Sequence, residues 1–388
     1  MKVAVIKELL PGERRVALVP ASLLALIRAG LEVVVETGAG LEAGFLDAQY
    51  SEKGASIAPD RLSAFQAADV IVQVRAAGAN KSFARQDLEH LRPHHSVVAT
   101  CDPLGDSQSS LDVSKTGASL FSLELIPRIT RAQSMDVLSS QATIAGYRAV
   151  LLAAMELDKI FPMMMTAAGT LPAAKVFIIG VGVAGLQAIA SARKLGAVVS
   201  AYDVRPACRE QVESLGGKFV ELKLDTAGGE DKGGYAKAMD EEFYRRQGEL
   251  LGSIVAQSDV VITTAAIPGK KSPLLLTADA INGMQPGGII IDLAAERGGN
   301  CELTQADQRV RHRGITILGP TNIASDVPQH ASLMFSNNIT KFLLNLIKKG
   351  EVDLNMEDEI IRDTLVTRGG EVVLPRIRES LGLSPQLT

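Results

Sequence analysis

The chain has 388 residues, more than one hydrophobic core usually accommodates, so we expect two domains. Hydrophobic residues account for 46% of it and charged residues for 22%, as in soluble globular enzymes. The net charge of −4, without a long basic block, argues against nucleic acid as the main ligand, and the lack of an apolar run of about 18 residues argues against a direct membrane span.

The start of the chain, MKVAVIKELL, has a short apolar run followed at once by charges, which indicates a first strand rather than a signal peptide. The three cysteines, Cys101, Cys208 and Cys301, lie far apart and form no CxxC pair. They therefore predict neither a disulfide framework nor a zinc site, and they suit a reducing compartment.

The first third of the chain alternates between β-rich and helical runs. A helix is predicted over Pro20–Ala29, because Gly30 stands where a helix-ending glycine belongs. The predicted strands are Val3–Ile6, Leu31–Val35, Val70–Val74, Ser96–Thr100 and Ala118–Phe121. This alternation is typical of a parallel sheet.

A long helix is predicted from Ser134 to about Lys159, ended by Phe161-Pro162. Its apolar residues recur at intervals of three and four, which places them on one alanine-rich stripe. They are Met135, Leu138, Ala142, Ala145, Ala149 and Leu152. The stripe packs inside one domain or belongs to a helix that bridges two domains or two subunits.

A second sheet follows, with helical segments between most of its strands. The six predicted strands are Val176–Ile179, Val198–Tyr202, Lys218–Val220, Val260–Thr264, Ile289–Asp292 and Ile315–Leu318. Six strands in this spacing match a doubly wound dinucleotide-binding fold.

Asp326-Val327-Pro328 interrupts the pattern, and a further helix is predicted over Gln329–Lys349, ended by Gly350. Arg368-Gly369-Gly370-Glu371 then predicts a hairpin turn.

We therefore expect an α/β fold of two Rossmann-like, doubly wound parallel-sheet domains joined by long helices, with a cleft between them. Residues 1–137 plus 328–388 form the first predicted domain, and residues 138–327 form the second.

The first strand of the second sheet runs directly into Gly180-Val181-Gly182-Val183-Ala184-Gly185, and a helix follows. A GxGxxG pattern alone is weak, but between a strand and a helix it predicts a dinucleotide-binding loop. Gly180 permits the tight turn, Gly182 lets the backbone reach the pyrophosphate, and Gly185 lets helix and strand pack closely. The N–H groups at the helix start, at Val183 and Ala184, then face the phosphates.

Asp203 ends the next strand, near the position where a carboxylate accepts from the ribose hydroxyls and repels a 2′-phosphate. NAD is therefore favoured over NADP, although the nearby Arg205 weakens that preference; the alternative is a plain surface aspartate. After the fourth strand, the small residues Ala265, Pro268 and Gly269 predict a wall for the nicotinamide half of the cofactor, which is compatible with a structural turn.

A glycine-rich polar stretch, LKLDTAGGEDKGGYA at residues 222–236, interrupts the nucleotide fold after its third strand. Its glycines predict a mobile segment. Tyr235 is either the tip of a lid or part of a disordered insertion.

Polar residues collect in RITRAQSMD, residues 128–136, just before the long helix. Arg128 and Asp136 together supply the donor and the acceptor that a carboxamide needs, and Gln133 supplies either. The alternative is an ordinary helix-capping loop with an ion pair.

The five histidines join no cysteine, serine or carboxylate constellation in the sequence pattern, and no metal-spaced cluster is evident, so we expect no metal site. A reaction that moves a proton with the hydride needs a general base. Hydride transfer between two nicotinamides needs none, because orientation and proximity supply the rate.

Several segments together carry a resemblance to a known family. They are KELLPGERRVALVP, PRITRAQSMDVLSSQATIAGYRAV, MMMTAAGT, GVGVAGLQAIA, the Gly233-Gly234-Tyr235 loop, DLAAERGGN and DVPQHASLMFSNN. Through them the sequence resembles, over nearly the whole chain, the NAD(H)-binding component, domain I, of proton-translocating NAD(P) transhydrogenases, and RAQSMD is the most specific of them.

The resemblance implies direct hydride exchange between NAD(H) bound here and NADP(H) bound on a separate component. It implies that Arg128, Gln133 and Asp136 hold the nicotinamide, and that Tyr235 lies on a loop that closes over NAD(H). The family's component is a homodimer that works beside a membrane-spanning component, which couples the reaction to proton flow. We therefore expect a separate soluble, cytoplasmic subunit, held on the cytoplasmic face of the inner membrane through its partners.

Two alternatives remain. Alanine dehydrogenases are similar in architecture, and Arg15 matches their pyruvate-binding arginine. Their substrate lysine is missing from Gln73-Val74-Arg75-Ala76-Ala77, while their catalytic histidine and aspartate fall near Asp102 and at Glu296. The other alternative is a regulatory module that binds NAD(H) without turnover, in which the polar RAQSMD segment has no evident purpose.

Overall fold

The computed structural model describes residues 1–80, 84–221, 241–267 and 269–385. The chain divides into two compact units: Met1–Gln141 with Ala324–Thr388, and Ala142–Ile323. The long helix over Val137–Glu156 crosses this division, so it begins in the first unit and ends in the second.

The first stretch of the first unit alternates strands and helices. Its strands are β1 (Lys2–Val5), β2 (Glu32–Glu36), β3 (Ser56–Ala58), β4 (Val70–Arg75), β5 (Ser96–Thr100) and β6 (Ser119–Ser122). Its helices are α1 (Pro20–Arg28), α2 (Asp47–Glu52), α3 (Arg61–Ala67), α4 (Ala84–His90) and α5 (Ser107–Ser114), and the crossing helix is α6 (Val137–Glu156). Asp60 and Asp106 cap α3 and α5 by accepting from backbone N–H groups in the first turn.

The second unit repeats this alternation. Its strands are β7 (Met164–Thr166), β8 (Gly169–Leu171), β9 (Lys175–Ile179), β10 (Val198–Tyr202), β11 (Lys218–Phe219), β12 (Val260–Thr263), β13 (Ile289–Asp292), β14 (Arg309–His312) and β15 (Ile315–Leu318). Its helices are α7 (Val183–Lys194), α8 (Cys208–Ser214), α9 (Glu241–Val255) and α10 (Ala278–Asn282).

The chain then returns to the first unit. The helices there are α11 (Pro328–Leu346), α12 (Glu359–Thr364) and α13 (Pro375–Ser380), and the strands are β16 (Ile347–Lys348), β17 (Glu351–Val352), β18 (Leu365–Arg368) and β19 (Glu371–Val372). Proline at the first position of α11 and α13 suits a helix start, because its missing N–H has no partner there.

In the described residues of the first unit, eight strands form one sheet in the order β19-β18-β6-β5-β4-β1-β2-β3, parallel from β6 to β3. Strand β1 and the residue after it alternate between two cores. Val3 and Val5 face the core that contains α1 and α11, whereas Ala4 and Ile6 face the opposite core. A parallel sheet covered on both faces requires such continuous apolar strands.

Among the described residues of the second unit, seven strands form a sheet in the order β11-β10-β9-β12-β13-β15-β14, parallel except for the β14–β15 pair. Strand β9 also alternates between two cores, because Val176 and Ile178 face one core and Phe177 and Ile179 face the other. The predicted fold class, two Rossmann-like α/β sheets, is confirmed.

Several predicted boundaries are wrong. Helix α6 begins at Val137 rather than Ser134, because Thr130–Met135 forms a separate 3-10 turn. Helix α11 ends at Leu346 rather than Lys349, because β16 and β17 form a short hairpin with Gly350 in its turn. The strands β3, β7, β8 and β14 were not predicted, whereas the hairpin turn at 368–371 is confirmed.

Candidate dinucleotide-binding site

The glycine pattern lies between β9 and α7, where the sequence predicted it. Gly180 has φ +96°, and a Cβ there would lie 2.6 Å from Thr264 Oγ1. A Cβ at Gly185 would lie 1.9 Å from the Gly180 carbonyl oxygen, so a side chain cannot fit at either position without movement. At Gly182 a Cβ would meet no atom within 4 Å, which leaves open space before the start of α7.

The start of α7 has the features of an anion site. Its N-cap is Gly182, which has no side chain to cap the first N–H groups. Unsatisfied N–H groups and the helix dipole favour a phosphate at this end, near Val183 and Ala184. Behind the loop, Gly146 of α6 approaches so closely that a Cβ there would lie 2.1 Å from the Ala184 carbonyl oxygen. A portion of the alanine-rich stripe therefore packs inside the second unit, where Ala149 is fully buried.

Asp203, just after β10, is bonded to this loop. One carboxylate oxygen accepts from the Val181 N–H at 2.7 Å and from Arg205 Nη2 at 2.9 Å. The other accepts from Arg205 Nε at 2.9 Å, and Arg205 Nη2 also donates to the Val181 carbonyl at 3.2 Å. The carboxylate that should favour NAD and the arginine that seemed to oppose it are thus one ion pair beside the glycine loop.

The segment after β12 lies on the other side of the glycine loop. The Thr264 N–H donates to the Ile179 carbonyl at 2.8 Å, and its hydroxyl donates to the Gly180 carbonyl at 2.9 Å. Ala265 follows directly, and Gly269 has φ +69°. Two of the predicted cofactor contacts, Tyr235 and Pro268, lie outside the described residues.

The RAQSMD segment lies in the first unit. Ala132 and Met135 are buried and fix the 3-10 turn, while Arg128 and Gln133 are exposed. Asp136 accepts from the Ser139 N–H at 2.9 Å and from the Ser139 hydroxyl at 2.6 Å, so its carboxylate caps α6. The helix-capping interpretation therefore applies to Asp136 whatever else this residue does.

Two long-range contacts hold that turn. Arg131 donates to both carboxylate oxygens of Asp358, at 2.7 and 3.2 Å, and this bonding lowers the pKa of Asp358 to about 2. Asn338 of α11 donates to the Ser134 carbonyl at 2.9 Å. The sequence analysis missed both contacts, because more than 200 residues separate the partners.

A group of charged residues lies at the ends of β1 and β4. Buried Glu13 accepts from Arg15 at 2.6 and 2.7 Å and from Arg75 at 3.1 Å. Although burial acts in the opposite direction, the two guanidinium groups lower the pKa of Glu13 to about 2. Burial and the charge of Glu13 raise the pKa of Glu8 to about 8, against backbone hydrogen bonds from Val74 and Arg75. Apart from Arg15, sequence reasoning did not single out these side chains.

Over the ranges that the structure describes, no group of three or more His, Cys, Asp or Glu side chains could hold a metal ion. Within the same ranges, no helix is both long enough and apolar enough to span a bilayer.

Comparisons with known proteins agree with this architecture. The model of the family "Alanine dehydrogenase/PNT, N-terminal domain" matches residues 4–145, and that of "Alanine dehydrogenase/PNT, C-terminal domain" matches residues 149–375. The two models together match nearly the whole chain.

Individual relatives point to one branch of this family. The chain is 44% identical over 382 residues to an NAD(P) transhydrogenase alpha subunit of Rhodospirillum rubrum, covering 97% of this chain and 99% of that protein. A solved structure of transhydrogenase from Sinorhizobium meliloti superposes with a TM-score of 0.85 at 44% identity, covering 96% of this chain and all of that one. Alanine dehydrogenase of Bacillus subtilis is 25% identical over 390 residues, covering 98% and 95% of the two chains.

The resemblance predicted from sequence, with alanine dehydrogenase as a relative, is thus confirmed. The chain belongs to the alanine dehydrogenase/PNT family, and within it to the alpha subunits of NAD(P) transhydrogenase.

Proposed function

We propose that this chain is the NAD(H)-binding subunit of an NAD(P) transhydrogenase, which exchanges hydride directly with NADP(H) held on a partner component. The observation that carries the proposal is the loop Gly180–Gly185, with open space before the uncapped start of α7 and a carboxylate beside it. These are the features that a dinucleotide requires of this fold.

The residues of the second unit fit NAD(H). The N–H groups near Val183 and Ala184 would bind the pyrophosphate, and Asp203 would accept from the hydroxyls of the adenosine ribose. Arg205 forms an ion pair with Asp203, so its positive charge is already neutralised and is less available to a 2′-phosphate. Ala265, Pro268 and Gly269 would border the nicotinamide half, and Tyr235 would lie on a loop that closes over it.

In the first unit, Gln133 would orient the carboxamide of the nicotinamide, because its amide offers both a donor and an acceptor. Arg128 and Asp136 would complete that recognition. The bound cofactor supplies a hydride or accepts one, and the chain's residues hold the ring in place. Because no proton moves between two nicotinamides, orientation and proximity account for the rate, and the chain needs no general base.

The partners we propose are a second copy of this chain, an NADP(H)-binding component and a membrane-spanning component that couples the reaction to proton translocation. The chain would then lie on the cytoplasmic face of the membrane through these partners. The β7–β8 hairpin supports the second copy, because Met163 just before it and Met165 within it are 60% and 79% exposed. Apolar surface of this kind favours an interface, and sedimentation of the chain alone would test the dimer.

A hydride-transfer assay tests the function. Purified chain is mixed with NADH, an NADP⁺ analogue and the NADP(H)-binding component of a transhydrogenase. We expect turnover only with that component, and a loss of about tenfold or more in Gln133→Asn, whose shorter side chain misplaces the ring. Gln108→Asn, at an exposed glutamine of α5, should leave the rate unchanged.

The same assay separates the alternatives. NAD⁺ with alanine and no partner should give no NADH; alanine-dependent NADH formation would instead make the chain an amino-acid dehydrogenase. Binding of NADH without turnover in the presence of the partner would favour a regulatory binding module.

A further inference from the structure

Asn300 holds both ends of the loop that follows β12. Its Nδ2 donates to the carbonyl of Ala265 at 2.8 Å and to the carbonyl of Pro273 at 2.8 Å. Its Oδ1 accepts from the Ala265 N–H at 3.0 Å, so side chain and backbone form a reciprocal pair. Asn300 is fully buried, and both amide hydrogens and the amide oxygen are used.

The backbone of Asn300 is equally fixed. Its carbonyl accepts from the N–H groups of Leu275 and Leu276 at 2.8 and 2.9 Å, just beyond the loop. Its N–H donates at 2.8 Å to the fully buried carboxylate of Asp292, at the end of β13. That carboxylate also accepts from the Thr304 hydroxyl at 2.7 Å. Asn300 therefore ties the loop to the end of a buried strand, with its side-chain amide on the loop and its backbone N–H on the strand end.

The sheet order tells which half of a dinucleotide this loop faces. β9, which carries the glycine loop, lies between β10 and β12. Asp203 follows β10 and marks the adenosine side, so the loop after β12 borders the other half. Thr264 joins this loop to Gly180 by its hydroxyl, which makes the two loops one edge of the site.

We propose that Asn300 is a positioning residue, which fixes Ala265 and Pro273 so that the backbone at Ala265 receives the nicotinamide half of the dinucleotide. The proposal rests on the proposed function, namely that the second unit binds NAD(H). No other neutral side chain of this size offers two donors and one acceptor, and a carboxylate in its place would face two carbonyl oxygens.

The test compares ligands that share the adenosine half. Asn300→Ala is titrated with NADH and with ADP, which lacks the nicotinamide and its ribose. We expect the Kd for NADH to rise about tenfold and the Kd for ADP to change less than about twofold. Asn300→Ser keeps one hydroxyl donor, so it should give an intermediate NADH affinity; it carries the test alone if the alanine variant does not fold.

Thr304→Val is the matched control, because it removes a donor to the same carboxylate without touching the loop. It should reduce Tm while leaving both affinities unchanged. Equal weakening of NADH and ADP in Asn300→Ala, or no change in either, would overturn the positioning role. If the wild-type chain binds neither ligand, the NAD(H)-binding function itself is wrong, which is a different result.

Discussion

In both sheets the strand order reverses beside the first strand of the parallel series, but different kinds of residue lie at the two reversal points. β1 lies between β4 and β2, and β9 lies between β12 and β10. A doubly wound sheet opens a crevice at such a point, beyond the carboxyl ends of its strands. In the first unit the ion pairs of Glu13 with Arg15 and Arg75 join the segment after β1 to the end of β4. In the second unit glycines leave backbone N–H groups and open space there.

The difference shows that a shared fold does not decide what a crevice does. The carboxylate of Glu13 neutralises two guanidinium groups of the same chain. Removing either partner of such a buried ion pair destabilises the folded state, because it leaves a buried charge without compensation. At the glycine loop the Asp203 carboxylate takes the Val181 N–H, whereas the space around Gly182 is left open. The first crevice should therefore affect stability and the second one ligand affinity, and each can be tested without the other.

The largest effect we expect is the pH dependence of stability caused by Glu8. Its carboxyl has a pKa of about 8 in the folded chain and an ordinary value of 4.5. Between these values the folded state binds the extra proton, so this contribution is complete below about pH 4.5 and is lost as the pH rises through about 8. At about 1.4 kcal/mol per pH unit, the loss reaches up to about 5 kcal/mol.

Glu8→Gln should flatten that dependence, measured by urea unfolding at several pH values between 5 and 8. Glu52→Gln, at an exposed position on α2, is the control and should keep the wild-type slope. The Kd for NADH should be unchanged in both variants. A slope that stays the same in Glu8→Gln would show that another group causes the pH dependence.

The second prediction concerns the open crevice. Gly182→Val should fold normally, because a Cβ there meets no atom within 4 Å. The added side chain would occupy the space that the pyrophosphate needs, so the Kd for NADH should rise about a hundredfold, equivalent to about 2.7 kcal/mol. Calorimetric titration measures the affinity, and the Tm reports the fold.

Gly252→Ala provides the comparison, because Gly252 lies on α9, away from the glycine loop. Its new Cβ would lie 3.6 Å from the nearest side-chain atom, which is an ordinary contact. Its NADH affinity should match that of the wild type. Normal NADH binding by Gly182→Val would mean that the dinucleotide does not cross this loop.

Local patterns explain what the sequence could predict. The strands Ser96–Thr100, Val198–Tyr202 and Ile289–Asp292 have the predicted bounds, because β-branched apolar residues suit strands covered on both faces. The position of the glycine loop between β9 and α7 was also predictable, because its pattern lies in consecutive residues. In contrast, β14 is an edge strand with polar residues, and the exposed β7–β8 hairpin has no alternation of buried residues.

Long-range partners explain what the sequence could not predict. Asn300 reaches back 35 residues to Ala265, and Arg15 reaches 126 residues forward to Gln141. No periodicity within one segment reports such pairs, because folding alone brings them together. The ion pair of Arg205 with Asp203 was not predicted either, because the sequence pattern does not show which way a side chain turns.

The smallest effect we expect tests that ion pair. Asp203→Asn removes the charge that favours ribose hydroxyls, so the Kd for NADH should rise about tenfold. It also releases Arg205 from its two bonds to the carboxylate, and a released guanidinium attracts a 2′-phosphate. The Kd for NADPH should therefore fall, and both values can be obtained by fluorescence titration.

The double variant Asp203→Asn with Arg205→Ala separates the two effects. It should keep the weakened NADH binding and lose the gain in NADPH binding, because the cation is gone. If NADPH binds Asp203→Asn no better than the wild type, the preference for NAD(H) does not depend on how Asp203 restrains Arg205. The shape of the crevice beside Val181 would then have to exclude the 2′-phosphate.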